Sequence, residues 1–380
     1  MLVYLDHAAG SPLRQEAADA MLPWLTERFG NPSGAHQVAR AARAAIDEAR
    51  EVIAATLGVP PGGVVFTGGG TEADNLAVLG AASGRPGPVV CSAIEHHAVL
   101  HAAQAAAGAG HEIRTIRVGS DGIIDLDHLA DRLDRSVAVV SVMLVNNEVG
   151  TIQPLDEVGR LVARRAPNAV LHTDAVQAVP WLDVASLGAP ADLISLSAHK
   201  FGGPQGVGVL AVRGDTALAP ILHGGGQERD RRSGTHNVAG IVGMAAALVA
   251  TVADRESMGA RAGSLRDRLV DQLLATVSGA TETGSRCRKI PGNGHVCFEG
   301  IESEALLLLL DDAGVCASAG SACTSGAMEA SHVLLAMGVP KAAALGSLRL
   351  SLGPGTSDAD VDIALKVIPG AVEQLRGAPA

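Results

Sequence analysis

The sequence predicts an α/β protein built on a mostly parallel sheet. Two observations carry that expectation. From Val64 onward, short apolar runs alternate with helix-length segments in a strand–turn–helix rhythm, the pattern of successive βα units. In addition, polar residues collect just after those apolar runs, at Gly70-Thr71, Glu95-His96, Asn146-Asn147, Asp174 and Lys200. Ligands of such sheets bind at the carboxyl ends of the strands, so these separate strand ends are expected to face one crevice.

Taken in order, residues 2–5 read as a short strand ending at Asp6-His7-Ala8-Ala9. Pro12 suits the first turn of a helix reaching Arg28, and residues 29–34 form a breaker-rich loop. A helix over 36–57 is stopped by Gly58 and Pro60-Pro61. Strands are expected over 64–66, 89–92, 113–118, 137–145, 169–173, 193–196 and 207–212, with helices over 71–81, 97–107 and 155–165. A long helical pattern over 238–274, with interruptions, then connects to a smaller unit. That unit holds a strand over 294–298, a helix over 303–313, a glycine- and serine-rich loop and the alternating strand Ser347–Ser351. The expected division is a large domain over 14–254, with 1–13 and 255–380 forming a small α/β domain.

Composition narrows the class. With 380 residues, 47% of them hydrophobic, the chain can bury a sizeable core. A formal charge of -11 argues against nucleic acid covering the whole surface, although Arg229, Arg231 and Arg232 make a local basic patch. The five cysteines are irregularly spaced without a CxxC pair, so neither a disulfide framework nor structural zinc is expected. The first residues lack a signal-peptide pattern. The apolar stretch 238–252 falls short of the roughly 20 residues of a membrane span, so a soluble, cytoplasmic protein is expected.

The candidate chemistry centres on Lys200, in Ser195-Leu196-Ser197-Ala198-His199-Lys200-Phe201-Gly202-Gly203. Between two apolar strands, desolvation disfavours its charged form, and a neutral amine can attack a carbonyl to form a Schiff base. The competing reading is a lysine snorkelling from a strand end. Thr67-Gly68-Gly69-Gly70-Thr71-Glu72 opens a helix after a strand, which suits either a phosphate seat or a tight turn capped by Thr71. It matches neither GxxxxGK[ST] nor GxGxxG, so nucleotide binding is unsupported. His96, with His97 and His101 nearby, lacks an HExxH arrangement. It stands either as a structural histidine or as a platform for a flat ligand. Asn146-Asn147-Glu148 bonds a ligand or only shapes a turn.

Asp174 closes an apolar strand, where an unpaired carboxylate is costly. Something cationic, from protein or ligand, must face it. An acid facing a protonated pyridine nitrogen, together with a Schiff-base lysine, is the pair found in pyridoxal phosphate sites. Cys323 lies among small residues and is the one cysteine expected to react, the other four being read as packing residues. Arg349 either forks onto a substrate carboxylate or is an exposed edge charge.

Together these residues resemble the cysteine desulfurases of the class V aminotransferase group. The likeness runs from Tyr4-Leu5-Asp6 to Arg349-Leu350-Ser351. It rests on Gly30-Asn31-Pro32-Ser33, Thr71-Glu72-Ala73-Asp74-Asn75, Glu95-His96-His97, Val145-Asn146-Asn147-Glu148, Ser197-Ala198-His199-Lys200 and Gly320-Ser321-Ala322-Cys323-Thr324-Ser325.

The resemblance implies the fold type I of pyridoxal-phosphate-dependent transferases, with a seven-stranded type of sheet. It implies that Lys200 holds pyridoxal 5'-phosphate, that Asp174 pairs with the ring nitrogen and Gln177 with the ring oxygen, and that His96 stacks on the ring. Gly70, Thr71, Ser197 and His199 would seat the phosphate, with Thr235 reaching it from a second subunit of a homodimer. Asn31, Asn147 and Arg349 would hold the carboxylate of L-cysteine. Cys323 would take the sulfur as a persulfide and pass it to an acceptor or scaffold protein, for iron–sulfur assembly, tRNA thiolation or DNA phosphorothioation. No resident metal is implied, with Cys323 at most a transient iron–sulfur ligand, and neither a membrane nor direct nucleic-acid contact. The competing readings are a selenocysteine lyase or aminotransferase on the same cofactor and, more remotely, a non-catalytic sulfur-relay scaffold.

Overall fold

The computed structural model describes residues 2–320 and 330–377. The chain opens with β1 (Val3–Tyr4), α1 (Gln15–Thr26) and α2 (Gln37–Leu57), then β2 (Val64–Thr67) and α3 (Gly70–Asn75). Next come β3 (Val89–Ser92), α4 (His97–Gly108), β4 (Ile113–Ile116), α5 (Leu126–Arg132), β5 (Val139–Ser141), α6 (Leu155–Arg165) and β6 (Val170–Asp174). These are followed by α7 (Val184–Leu187), β7 (Leu193–Ser197), β8 (Gly208–Val212) and α8 (Val238–Thr276). The remainder holds β9 (Ala280–Glu282), β10 (Asn293–Phe298), α9 (Ser303–Asp312), β11 (Val315–Cys316), α10 (His332–Ala336), α11 (Lys341–Ala344), β12 (Ser347–Ser351) and α12 (Asp358–Gly377).

Seven strands form one sheet in the order β2-β8-β7-β6-β5-β3-β4. From β4 to β7 every pairing is parallel, and β8 alone runs antiparallel to its neighbours β7 and β2. β2 therefore points the same way as the parallel set, so its carboxyl end opens on the same edge. The chain moves outward from β3 to β4 and then returns past β3 to β5, which makes a topological switch point on that edge. β6, β7 and β8 are buried at every position, as expected of strands covered by helices on both faces.

A second, antiparallel sheet has the order β12-β10-β9, and β1 pairs parallel with β11. The molecule has a separate hydrophobic cluster here, and α8 serves both. Ile241, Met244 and Leu248 pack into the core of the large sheet, whereas Leu265, Leu269 and Leu273 pack into the second cluster with Val296 and Leu350. Burying each such leucine stabilises the fold by about 1.5–3 kcal/mol.

α2 shows how sequence fixes an element. Ala39, Ala42, Ile46, Ala49 and Ile53 recur at helical spacing and are all buried. The His36 side chain accepts from Ala39 N–H at one end, and Gly58, at φ 64, ends the helix in the left-handed conformation that glycine adopts without strain.

Several elements differ from expectation. α1 starts at Gln15, so Pro12 lies outside its first turn, and Pro23 sits inside it. The strand expected over 137–145 pairs regularly only over Val139–Ser141, and the chain beyond it bends toward the crevice. The helix expected over 71–81 widens to a π-turn over Leu76–Gly80. At the junction Asn75 Nδ2 donates to Thr71 O at 2.8 Å and to Ala98 O at 3.2 Å, tying the start of the turn to α4.

α8 is uninterrupted over 39 residues and, by length and composition alone, is long and apolar enough to cross a membrane, contrary to the sequence expectation. Half of its most apolar window is buried inside the fold, which makes it a core helix. Cys287 is exposed and is not a packing residue, whereas Cys91 and Cys297 are buried.

Candidate active site

The carboxyl ends of β2, β3, β5, β6 and β7 bring most of the expected residues together. Lys200 ends a single 3-10 turn after β7 and is half-buried. Its Nζ donates to Ala8 O at 2.7 Å and to Ala9 O at 2.9 Å. Burial first, and the Arg349 guanidinium second, lower its pKa to about 8. This is a structured amine, unlike a snorkelling one.

Asp174, at the end of β6, is 6% exposed and accepts from Val176 N–H at 2.9 Å. No lysine, arginine or histidine among the described residues lies within ion-pair distance of it. Burial, followed by the nearby Asp74 carboxyl, pushes its pKa up to about 7. A buried acid without a protein cation is the feature that a protonated ring nitrogen would satisfy. Gln177 donates from Nε2 to Ala8 O at 2.8 Å.

Behind Asp174 lies a buried group, His172, Asp74 and Glu95, to which the sequence reading gave no role. His172 is fully buried between two hydroxyls, with Ser141 Oγ 2.8 Å from Nδ1 and Ser195 Oγ 2.9 Å from Nε2. Burial lowers its pKa to about 4, so the ring is neutral. Asp74 lies 3.5 Å from His172 and is raised to about 7, chiefly by burial. Glu95 accepts from Met143 N–H at 2.8 Å and is raised well above the carboxylate range. The helical period of α3 could have placed Asp74 inward beside Ala73, but no sequence signal pairs it with His172.

His96 caps α4, its Nδ1 accepting from Ala98 N–H at 3.1 Å. The neutral ring therefore carries its proton on Nε2. Burial of the ring atoms and the Lys200 charge lower its pKa to about 4, while the residue as a whole stays exposed. That combination suits a stacking platform.

The glycine loop after β2 has the form of an anion cradle. Gly69 is at φ 146, and a Cβ on Gly70 would come within 2.9 Å of Val176 Cγ2 and 3.3 Å of Ser197 Cβ. Gly208 allows the approach from behind, since a Cβ there would fall 2.6 Å from the Gly69 carbonyl carbon. The loop, Thr71, Ser197 and His199 line one cleft of ≈ 750 Å³. Ser197 Oγ is 2.9 Å from His199 Nδ1, and burial lowers the His199 pKa to about 4. A second hollow of ≈ 510 Å³ is lined by Lys200 and Gln177 together with Tyr4, His7 and Trp181. The residues present therefore fit pyridoxal 5'-phosphate: a cradle for the phosphate, an amine for the aldehyde and an acid for the ring.

Arg349 is 5% exposed on β12, which removes the reading of an exposed edge charge. Its Nη2 donates to Asp6 Oδ1 at 2.8 Å and its Nη1 to Asn147 O at 3.1 Å, while Nε has no partner among the described residues. Asn147 is half-buried and meets Arg349 through its backbone, whereas the neighbouring Asn146 is the turn-shaping residue, its Oδ1 accepting from Glu148 and Val149 N–H. Asn31 is exposed, with Oδ1 accepting from Ser33 N–H at 3.0 Å. Thr235 is exposed in the segment before α8. Cys323 lies outside the described residues. No cluster of metal-ligating side chains occurs among the described residues.

Known proteins resemble the chain over nearly its whole length. The aminotransferase class-V family model matches residues 3–364. The cysteine desulfurase IscS of Methanosarcina thermophila is 42% identical over 377 residues, covering 98% of this chain and 93% of that protein. An IscS-like cysteine desulfurase of Mycobacterium tuberculosis is 45% identical over 387 residues, covering 99% and 98%. Among solved structures, a NifS-like protein superposes with a TM-score of 0.93 at 34% identity, covering 99% of this chain and all of the other. DndA from Streptomyces lividans superposes with a TM-score of 0.78 at 38% identity, covering 93% of this chain and all of the other.

Proposed function

The chain belongs to the class-V aminotransferase family, among its pyridoxal-phosphate-dependent cysteine desulfurases, and from that premise we propose how its residues divide the conversion of L-cysteine to L-alanine. When bound, pyridoxal 5'-phosphate supplies an aldehyde that captures amines and a cationic ring that draws electrons from the carbon beside the captured nitrogen. Lys200 is the amine that holds the cofactor and then, released, the base that takes the substrate α-proton on Nζ. Its lowered pKa supports both tasks. Asp174 keeps the ring cationic, Gln177 bonds the ring oxygen, and His96 covers the ring face with a neutral imidazole.

Gly70, Thr71, Ser197 and His199 hold the phosphate, with Thr235 of a second copy completing the seat in a homodimer. Arg349 grips the substrate carboxylate, assisted by Asn147 and Asn31. Cys323, as thiolate, attacks the substrate sulfur. The S–S bond forms as the C–S bond breaks, and the released electron pair stays with the substrate carbon, which takes a proton to become the alanine methyl group. No external oxidant is needed, because the sulfur is oxidised as the carbon is reduced. The persulfide then passes to an acceptor protein in the cytoplasm. The change of core along α8 between Leu248 and Ala262 supports a domain boundary near residue 254.

The single observation that carries this reading is the buried Asp174, without an ion-pair partner among the described residues, at the strand end near Lys200. Its test is direct. The purified chain should show a visible cofactor band that borohydride removes. Cys323→Ser should keep that band while losing sulfide release from cysteine. Full sulfide release by Cys323→Ser would turn the assignment toward a lyase or aminotransferase that needs no enzyme thiol.

A further inference from the structure

The anion cradle contains a charge that opposes its purpose. Glu72 stands in the first turn of α3 and lines the same cleft as Gly68, Gly69, Gly70 and Thr71. Gly68 N–H, which could point at a phosphate, donates to Glu72 Oε2 at 2.7 Å. A carboxylate so placed repels a phosphate dianion unless it is neutralised. The neutralising group is Arg232, whose Nε donates to Glu72 Oε1 at 2.7 Å and whose Nη2 donates to Oε2 at 3.2 Å. Both side chains are about four-fifths buried, at 20% and 19% exposure, so solvent screens the pair only in part.

Arg232 reaches that position from a strained turn. Glu228, Arg229 and Asp230 are consecutive non-glycine residues at φ 51, 58 and 61, a left-handed run that side chains disfavour. Such strain persists only where surrounding contacts over-determine it, and it gathers at functional sites. Here Glu228 supplies the anchor. It accepts from Arg50 Nη1 at 2.9 Å and Nη2 at 2.6 Å, lies 2.6 Å from His236 Nε2, and accepts from Phe66 N–H at 2.9 Å. Phe66 lies on β2, directly before the glycine loop. The turn is thus fastened to the root of the cradle at Glu228 and to its rim at Arg232.

We propose that Arg232 and Glu72 act as a positioning pair for the cofactor phosphate: Arg232 cancels the Glu72 charge and holds that carboxylate on Gly68, fixing the cradle without touching the phosphate. The proposal rests on the cofactor reading above and assigns to that site two residues the reading leaves without a role.

A double-variant comparison tests it, using the full chain freed of cofactor and titrated with pyridoxal 5'-phosphate and, separately, with pyridoxal. Arg232→Gln is expected to raise Kd for pyridoxal 5'-phosphate about tenfold, within the range of coupling between contacting residues. Its Kd for pyridoxal, which lacks the phosphate, should stay within about twofold of the parent. Added to Glu72→Gln, which keeps an acceptor for Gly68 N–H but removes the charge, the same change should shift Kd by less than about twofold.

An equal loss for pyridoxal would show a general disturbance of the site and overturn the proposal. A tenfold loss that persists in the Glu72→Gln background would overturn it as well, by making Arg232 an independent phosphate ligand. Failure of the parent chain to bind pyridoxal 5'-phosphate at all would instead refute the cofactor reading, and this inference with it.

Discussion

Lys200 and Gln177 share one acceptor: Nζ and Nε2 donate to the Ala8 carbonyl oxygen at 2.7 and 2.8 Å. With Ala9 O as its second acceptor, a neutral Lys200 amine places both hydrogens on carbonyls and keeps its lone pair free. An ammonium there has a third proton with no acceptor among the described residues. Burial and the Arg349 guanidinium favour the neutral form that attacks an aldehyde, and they outweigh the two carbonyls, which favour the ammonium.

The first prediction concerns pH. Lys200 has its pKa lowered to about 8, so the rate at which cofactor-free protein captures pyridoxal 5'-phosphate should rise with a midpoint near that value. An ordinary lysine is neutral in fewer than about one molecule in a hundred at pH 8. Stopped-flow absorbance across pH 6.5 to about 10 reads the midpoint. A rate still climbing steeply at the top of that range would mean that burial does not tune this amine.

Asp174 gives a stability prediction with a definite sign. Its folded-state pKa is raised to about 7 from 3.8. An acid of this kind contributes stability that is complete below the unfolded value and is lost as pH rises through the folded value, at up to 1.4 kcal/mol per unit. In cofactor-free protein, Asp174→Asn should therefore raise Tm at pH 8 and leave it nearly unchanged below pH 4. The same variant should lose most of the Tm gain that pyridoxal 5'-phosphate gives the parent, because the ring nitrogen has no anion to meet. A variant destabilised at pH 8 without cofactor would show that the carboxylate is already compensated by the protein.

Arg349 divides its fork between Asp6 Oδ1 and Asn147 O. The planar guanidinium makes both contacts while offering a further donor, and a lysine cannot. Arg349→Lys should raise KM for cysteine about tenfold or more with a smaller effect on kcat, as expected when ground-state binding of a carboxylate is lost. Steady-state kinetics separates the two parameters. A fall in kcat at unchanged KM would assign Arg349 to the reacting atoms and not to the carboxylate.

Much of this was legible in the sequence because it rests on periodicity and breakers. The alternation after Val64 gave the sheet, and the placement of Asp174 and Lys200 after apolar runs gave the crevice. The missed elements had their periodicity hidden. α12 carries Pro369 inside it, yet buries Val361, Ala364, Ile368 and Val372 at helical spacing. The missed parts of the site are long-range pairs. Asp6 and Arg349 are separated by 343 residues and Glu72 and Arg232 by 160, and no local pattern encodes such meetings. The same holds for buried acids: the sequence places Glu95 at a strand end and Asp74 in a motif, but not their complete burial, which comes only as the sheet closes around them.

The last prediction concerns Glu148, which faces both borders of the segment that contains Cys323. Glu148 is 3% exposed, and its pKa is raised by burial and held back by the Ser331 hydroxyl. Ser331 Oγ bonds Glu148 Oε2 and also accepts from Leu334 N–H at 3.2 Å, which caps α10. On the other border, a Cβ added to Gly320 would lie 2.5 Å from Glu148 Oε2 and 3.0 Å from His295 Nε2. Neither neighbour is free to yield, because both are buried and hydrogen-bonded. Ser331→Ala removes a cap and leaves Glu148 with one acceptor unsatisfied, a cost of about 1–3 kcal/mol in denaturant unfolding. Gly320→Ala forces the border of the segment outward, and displacement of a reacting group by about 1 Å can cost up to a hundredfold in rate. Sulfide release by Gly320→Ala should fall at least about tenfold, with the cofactor band intact and exchange of the substrate α-hydrogen with solvent preserved, since that step uses Lys200 and not Cys323. Were the band or the exchange to fall together with sulfide release, Glu148 would be supporting the cofactor pocket and not the approach of Cys323.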